Sequence, residues 1–197
     1  GYADLQAFRK AFKKQYNIAP SSKRPELLLL LEQLQEEIKY PSLAIEALEA
    51  TKISLARTEV VFKTYQGPYD NAQLALVWKQ LYEACQDIES PQEYGLIFDD
   101  IDITQENHCR YEACLSIPKT WKSATIPVKN IGGKNYMRFL HKGSYDQIEA
   151  TYNVIFGGWL LENNCNFSTD YIIEHYYHNL NNTEDEAAFL THIYIPI

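Results

Sequence analysis

One short pattern occurs twice in this chain, in the same order and at nearly the same distance. Tyr65-Gln66-Gly67-Pro68-Tyr69-Asp70 is matched 76 positions on by His141-Lys142-Gly143-Ser144-Tyr145-Asp146. Cys114-Leu115-Ser116-Ile117-Pro118 is matched 78 positions on by His192-Ile193-Tyr194-Ile195-Pro196. Self-similarity at a fixed offset marks a repeated structural unit, so the chain reads as a tandem duplication.

The first copy shows what the unit contains. Ile53 to Ala56 and Val60 to Tyr65 have strand-like patterning, and Gly67-Pro68 ends them in a turn. Asp70 is placed to cap a helix running to about Asp87, with Leu74, Val77, Trp78 and Leu81 on one face. Tyr94 to Phe98 and Arg110 to Ile117 supply two more strands around a polar loop. The glycine of the repeated motif reads as a position needing a positive φ or room where a Cβ would clash. The expected fold class is α+β: tandem-duplicated strand-strand-helix-strand-strand units with pseudo-twofold symmetry, preceded by short α-helices. The helices should cover one side of the sheets and leave a groove between the halves, a common place for a ligand.

Charge divides the chain differently. The net charge is −8, yet residues 1–24 hold Arg9, Lys10, Lys13, Lys14, Lys23 and Arg24 against Asp4 alone. A head of +5 therefore precedes a body of −13, which argues against the whole chain coating nucleic acid. In the head, Leu5, Phe8, Phe12 and Tyr16 recur about one turn apart, the mark of an amphipathic helix over 4–16. Pro20-Ser21-Ser22 breaks it, a second helix is expected from Pro25 to Ile38, and residues 39–48 read as a linker. The start at Gly1-Tyr2, without an initiator Met, is what a piece of a longer protein would show.

Hydrophobic residues make up 46% of the chain, enough for a buried core. The aliphatic run Leu27 to Leu31 is too short to span a bilayer, and no secretory pattern opens the chain. Cys85, Cys109, Cys114 and Cys165 form no C-x-x-C pair and no metal-ligand spacing. They read as reduced, mostly buried thiols, and the expected location is cytoplasmic. Fifteen Tyr against eight Phe fit either sheet packing or an aromatic pocket whose rings carry hydroxyls.

Two regions resemble known families. Phe8, Phe12, Lys13, Tyr16, Asn17, Pro20-Ser21 and Arg24 resemble the end of the helix-turn-helix domain of AraC-type regulators, with Asn17 where that family usually has Gly. The resemblance makes residues 1–24 a remnant of that domain. It implies DNA contacts from Asp4, Gln6, Arg9, Lys10 and Lys13 in an intact regulator. A recognition helix without its supporting helix holds no fixed pose in the major groove, so independent DNA binding by this chain is not expected.

After a helical linker over 25–48, residues 49–197 resemble the GyrI-like effector-binding domain. The resemblance rests on Gly67-Pro68-Tyr69, Tyr94 to Asp99, Cys109 to Ala113, Gly132-Gly133-Lys134, Gly143-Ser144-Tyr145, Trp159-Leu160, Ile173 to Tyr176 and Ile193 to Ile197. It implies the ligand-sensing domain of a bacterial transcription regulator, binding a small aromatic or lipophilic effector, cationic ones included, in a groove between the two repeats, with no cofactor and no membrane partner.

Within that resemblance Glu174 falls where an acid enters an aromatic pocket. Strand alternation independently places Ile172, Glu174 and Tyr176 on one face, where a desolvated carboxylate wants a counter-charge. A carboxylate at a sheet edge in water is the other reading. Tyr111, Tyr145, Trp159, Tyr176 and Trp78 are the expected walls; any one of them taken singly is more often a core residue, but some of the group should line the groove. Arg110 and Glu112 should face away from Tyr111. Two alternatives stay open: a small-molecule hydrolase using Glu174 with Tyr111 or Tyr145, and a protein-binding module of the gyrase-inhibitor type. No nucleophile elbow or phosphate loop supports catalysis, and the five histidines lack triad-like spacing. The sequence does not speak to oligomeric state.

Overall fold

The structure, a computed structural model, describes residues 48–197 other than 102, 123, 124, 164 and 169. The amphipathic N-terminal helix, the contacts assigned to Asp4, Gln6, Arg9, Lys10 and Lys13, and all but the last residue of the 25–48 linker lie outside the described residues.

The order of elements is strand-strand-helix-strand-strand, twice. The first unit runs β1 (Ala50–Ser54), β2 (Thr58–Gln66), α1 (Asn71–Ala84), β3 (Glu93–Ile97) and β4 (Arg110–Ser116). The second runs β5 (Val128–Ile131), β6 (Asn135–Lys142), α2 (Ile148–Val154), a π-helical turn (Ile155–Trp159), the short α3 (Leu160–Glu162), β7 (Ile172–His178) and β8 (Leu190–Pro196). The expected first strand sits three residues earlier than its apolar pattern indicated.

All eight strands form one antiparallel sheet in the order β1-β6-β8-β7-β3-β4-β2-β5. The halves meet at β3 and β7. Each half also sends its first strand to the other: β1 pairs with β6, and β5 pairs with β2. The exchanged strands are the sheet's edges and are short, which limits the exposed ladder. Lys129 of β5 fastens one exchange. Its ammonium pairs with Glu112 of β4 and lies 4.5 Å from the Phe62 ring and 5.5 Å from the rings of Phe98 and Tyr171.

The ladders correct one anchor of the repeat. Gly67 N–H donates to the Cys109 carbonyl at 2.9 Å, and Gly143 N–H donates to the Phe189 carbonyl at 3.0 Å. The 76-residue offset therefore holds at the glycines, but β4 and β8 correspond at 80 rather than 78. Ser116, and not Pro118, is the mate of Pro196: Val60 pairs with Ser116 as Tyr136 pairs with Pro196. The slip is by an even number of residues, so the facing of side chains is preserved. Gly67 and Gly143 have φ of 152° and 112°, as their place in the motif led us to expect.

Helix α1 begins where Asp70 accepts from the N–H groups of Ala72 and Gln73 at 2.8 and 3.1 Å. Its buried face, with Val77 and Leu81, packs on Val61, Tyr111, Ala113 and Leu115. Full burial of one such side chain contributes roughly 1.5–3 kcal/mol. The second helical segment packs on Met137, Phe139, Ile193 and Ile195. Alternate residues of the same strands, among them Val60, Leu96, Cys114, Ile173 and Tyr194, close a third core on the opposite sheet face. Cys85, Cys109 and Cys114 are buried, Cys165 is half-buried, and all four are free thiols. No helix among the described residues is long and apolar enough to cross a membrane.

Candidate functional site

Both helical segments lie over the same sheet face, and between them is a cavity of about 1230 Å³. Leu74, Trp78 and Tyr82 of α1 form one wall; Ile148, Tyr152 and Phe156 form the other. Tyr111, Glu174 and Tyr176 contribute from β4 and β7. Among the described residues, eight acidic side chains line the cavity against one basic side chain, Lys79. Asp99 is neutralised by Arg110 and Asp170 by Lys134. Glu93, Asp146, Glu149, Glu174 and Glu186 still give the cavity a negative field, which attracts cations and repels anions.

At its floor is a directed chain of hydrogen bonds. Tyr152 donates to Glu174 Oε1 at 2.7 Å, and Tyr176 donates to Oε2 at 2.5 Å. A phenol carries one hydrogen, and that of Tyr176 is committed to Glu174. The 3.1 Å contact between the Tyr111 and Tyr176 hydroxyls therefore runs from Tyr111 to Tyr176. Trp78 Nε1–H completes the chain, donating to the Tyr111 hydroxyl at 2.9 Å. Every donor points toward the carboxylate.

Glu174 is 5% exposed and forms no ion pair among the described residues. Burial pushes its pKa up, and the bonds from Tyr152 and Tyr176 pull it partly back. The same burial, with the nearby Glu174 charge, raises the Tyr111 and Tyr176 hydroxyls far above the ordinary phenol range. These tyrosines are neutral donors, and none of them supplies the positive charge that would balance a buried carboxylate.

Room for the chain comes from a missing side chain. Gly95 of β3 pairs directly with Glu174 of β7. A Cβ at Gly95 would stand 2.4 Å from the Tyr176 hydroxyl oxygen and 2.8 Å from that of Tyr111. The two hydroxyls occupy the space that any other residue would fill.

Of the six candidate ligand residues, Glu174, Tyr111, Tyr145, Tyr176 and Trp78 all line this cavity. Tyr145 packs edge-on against Tyr176 at 5.4 Å, and Trp78 does so at 5.7 Å. Trp159 is the exception. It packs edge-on against Phe139 at 5.0 Å in the second half's core and is not part of the lining. In an unbroken α-helix Trp159 would fall on the face of Tyr152, seven residues earlier. The π turn at Ile155–Trp159 advances less per residue and carries Trp159 off that face. Tyr152 was missed, although Ile148, Tyr152 and Phe156 recur one turn apart and could have indicated it. Arg110 and Glu112 are absent from the lining, as alternation implied; Arg110 is tied to Asp99 at 2.8 Å.

Residues 49–197 match the GyrI-like small molecule binding domain. The chain belongs to the GyrI-like family. Among solved structures, it resembles EcmrR in an EcmrR–DNA complex, with a TM-score of 0.65 and 15% identity over 96% of this chain and 76% of that one. SAV2435 bound to tetraphenylphosphonium gives a TM-score of 0.53 and 17% identity over 75% of this chain and 93% of that one. A hydrolase from Listeria innocua gives 0.52 and 10% identity over 75% and 91%. At these identities the likenesses establish the shared fold. No curated protein matches this chain significantly.

Proposed function

We propose that the GyrI-like domain is the sensing part of a transcription regulator and that its effector is a small lipophilic aromatic cation. The observation that carries this reading is Glu174. Among the described residues it is a buried carboxylate satisfied by neutral phenols alone, at the floor of an aromatic cavity with a negative field. An effector with a delocalised positive charge would stack on the rings and balance the acid in one step. Tetraphenylphosphonium, bound in the SAV2435 structure, has this chemistry. The regulator context draws on the EcmrR–DNA neighbour and on the AraC-like pattern in residues 1–24. DNA contacts by Asp4, Gln6, Arg9, Lys10 and Lys13 belong to that proposal.

A hydrolase reading is favoured by the Tyr111–Tyr176–Glu174 run, in which hydroxyls end on a buried carboxylate whose proton affinity is raised. In that reading Glu174 activates water and the tyrosines orient the substrate. The two readings separate in one experiment. Thermal unfolding is followed against tetraphenylphosphonium and against neutral triphenylmethane, with wild type and Glu174→Gln. We expect the cation alone to raise the midpoint with concentration, and the shift to vanish in Glu174→Gln. Equal shifts in both proteins would overturn Glu174 as the anchor. No shift in a folded protein would return the protein-partner reading, and turnover of a reactive ester lost in Glu174→Gln would establish the enzyme.

A further inference from the structure

The cavity holds a second partly buried carboxylate that the reading above does not use. Glu93, at the start of β3, is two residues from Gly95 and so shares its face. Gly95 is the register partner of Glu174, which makes Glu93 the diagonal neighbour of Glu174 across the strand pair. Such diagonal positions are about 7–8 Å apart. Like Glu174, Glu93 is served by neutral groups. Asn179 Nδ2 donates to its Oε2 at 2.8 Å, and Asn181 Nδ2 donates to its Oε1 at 2.8 Å. Asn181 Nδ2 also reaches the Tyr82 hydroxyl at 2.8 Å. Glu93 has no ion pair among the described residues.

The two acids are separated by aromatic surface. Tyr176 neighbours Glu174 on β7 and carries the Tyr145 ring against its own. Tyr145 lines the same cavity as Glu93 and Glu174. A flat ligand lying along these rings would therefore have one carboxylate at each end. Each acid lines the cavity with no cation paired to it among the described residues, so each is a place where a positive centre is favoured. A single cation at Glu174 leaves Glu93 without a counter-charge, whereas a second positive centre at Glu93 supplies one.

Building on the cation-sensor reading, we infer that this cavity is a two-anchor site, selective for rigid aromatic ligands carrying positive centres at both ends. Glu174 is the inner anchor and Glu93 the outer one.

The test uses two probes of one shape. Methyl viologen is a biaryl with a charged nitrogen at each end, and N-methyl-4-phenylpyridinium is the same frame with one charge. Their affinities for the purified chain are measured by calorimetry above neutral pH and at fixed salt. Wild type should bind the dication roughly tenfold more tightly than the monocation. Glu93→Gln should erase that preference and leave monocation binding within about twofold. Glu93→Ala serves if the amide, with its own donors against Asn179 and Asn181, does not fold. Glu89→Gln, an exposed change of equal charge outside the cavity, should keep the preference. Equal affinities in wild type would overturn the inference, as would a preference that survives both Glu93 variants. Loss of preference in Glu89→Gln to the same extent would also overturn it, assigning the effect to the general field. Binding of neither probe, or of both without dependence on Glu174, would instead overturn the cation-sensor reading itself.

Discussion

The two halves of the sheet have the same plan and different chemistry. Gly95 pairs with Ala113 on β4 as Glu174 pairs with Ile193 on β8. With the offsets fixed by the glycine turns, Gly95 and Glu174 are therefore mates under the pseudo-twofold, as well as partners in the ladder. One half places a carboxylate at the centre of the cavity; the other leaves out a side chain at the same point. The helices diverge too. Helix α1 runs unbroken over fourteen residues from its Asp70 cap, while the second helix passes from α into a π turn after Val154. The backbone symmetry builds the cavity, and its chemistry depends on departures from that symmetry.

Three changes press on this comparison, beginning with the most damaging. Gly95→Ala puts a Cβ into the space of two hydroxyls. We expect it to cost about 1–3 kcal/mol, the usual range for an overpacked core, measured by urea unfolding. An unchanged midpoint would mean that the hydroxyls move aside freely and that the chain does not depend on the missing side chain.

The second change concerns pH. A carboxylate whose pKa is raised in the folded state holds its proton more tightly folded than unfolded. Its contribution is fully favourable below the ordinary value of 4.5 and declines as pH rises through the raised pKa. Glu93 is shifted in the same direction by burial. His175 opposes them at the acid end: burial, with His192 nearby, holds it down to about 4, so stability is lost as pH falls below the ordinary histidine range. The difference between wild type and Glu174→Gln isolates the one carboxylate. That variant should lose less stability than wild type as pH rises from about 4.5. Parallel curves would show that Glu174 titrates as it does in the unfolded chain.

The smallest effect compares equivalent aspartates. Asp70 caps α1, whereas its mate Asp146 accepts from the Asn71 side chain at 2.5 Å across the halves. Asp70→Ala should cost about 1 kcal/mol, and Asp146→Ala no more than about 0.5 kcal/mol, as expected for an exposed position without a cap. Equal losses would indicate that the bridge to Asn71 contributes as much as a helix cap.

Much of this architecture could be read in the chain because it is written locally. The repeated Gly-x-Tyr-Asp motif, the Asp70 cap and the apolar face of α1 depend on neighbours within a few residues. Alternation likewise set Glu174 beside Tyr176 and turned Glu112 away. What could not be read depends on distant partners. No local signal records that β1 pairs with the second unit and β5 with the first. The π turn that removes Trp159 from the cavity is a small change of winding, invisible to a pattern drawn at α spacing. Gly95 resembled an unremarkable strand glycine, since its role exists only when β3, β4 and β7 come together.

The pairing of Gly95 with Glu174 also constrains how such a protein can have arisen. A single strand-strand-helix-strand-strand unit, associating with a second copy and trading first strands, would build the same sheet as a homodimer. In that ancestor positions 95 and 174 would have been one position, so any acid there would have faced its own twin across the ladder, like charge against like. Joining two copies in one gene allowed one to keep an acid while the other became glycine. On this view, a lone buried charge at the symmetry axis is a chemistry open to the fused chain and closed to its dimeric forerunner.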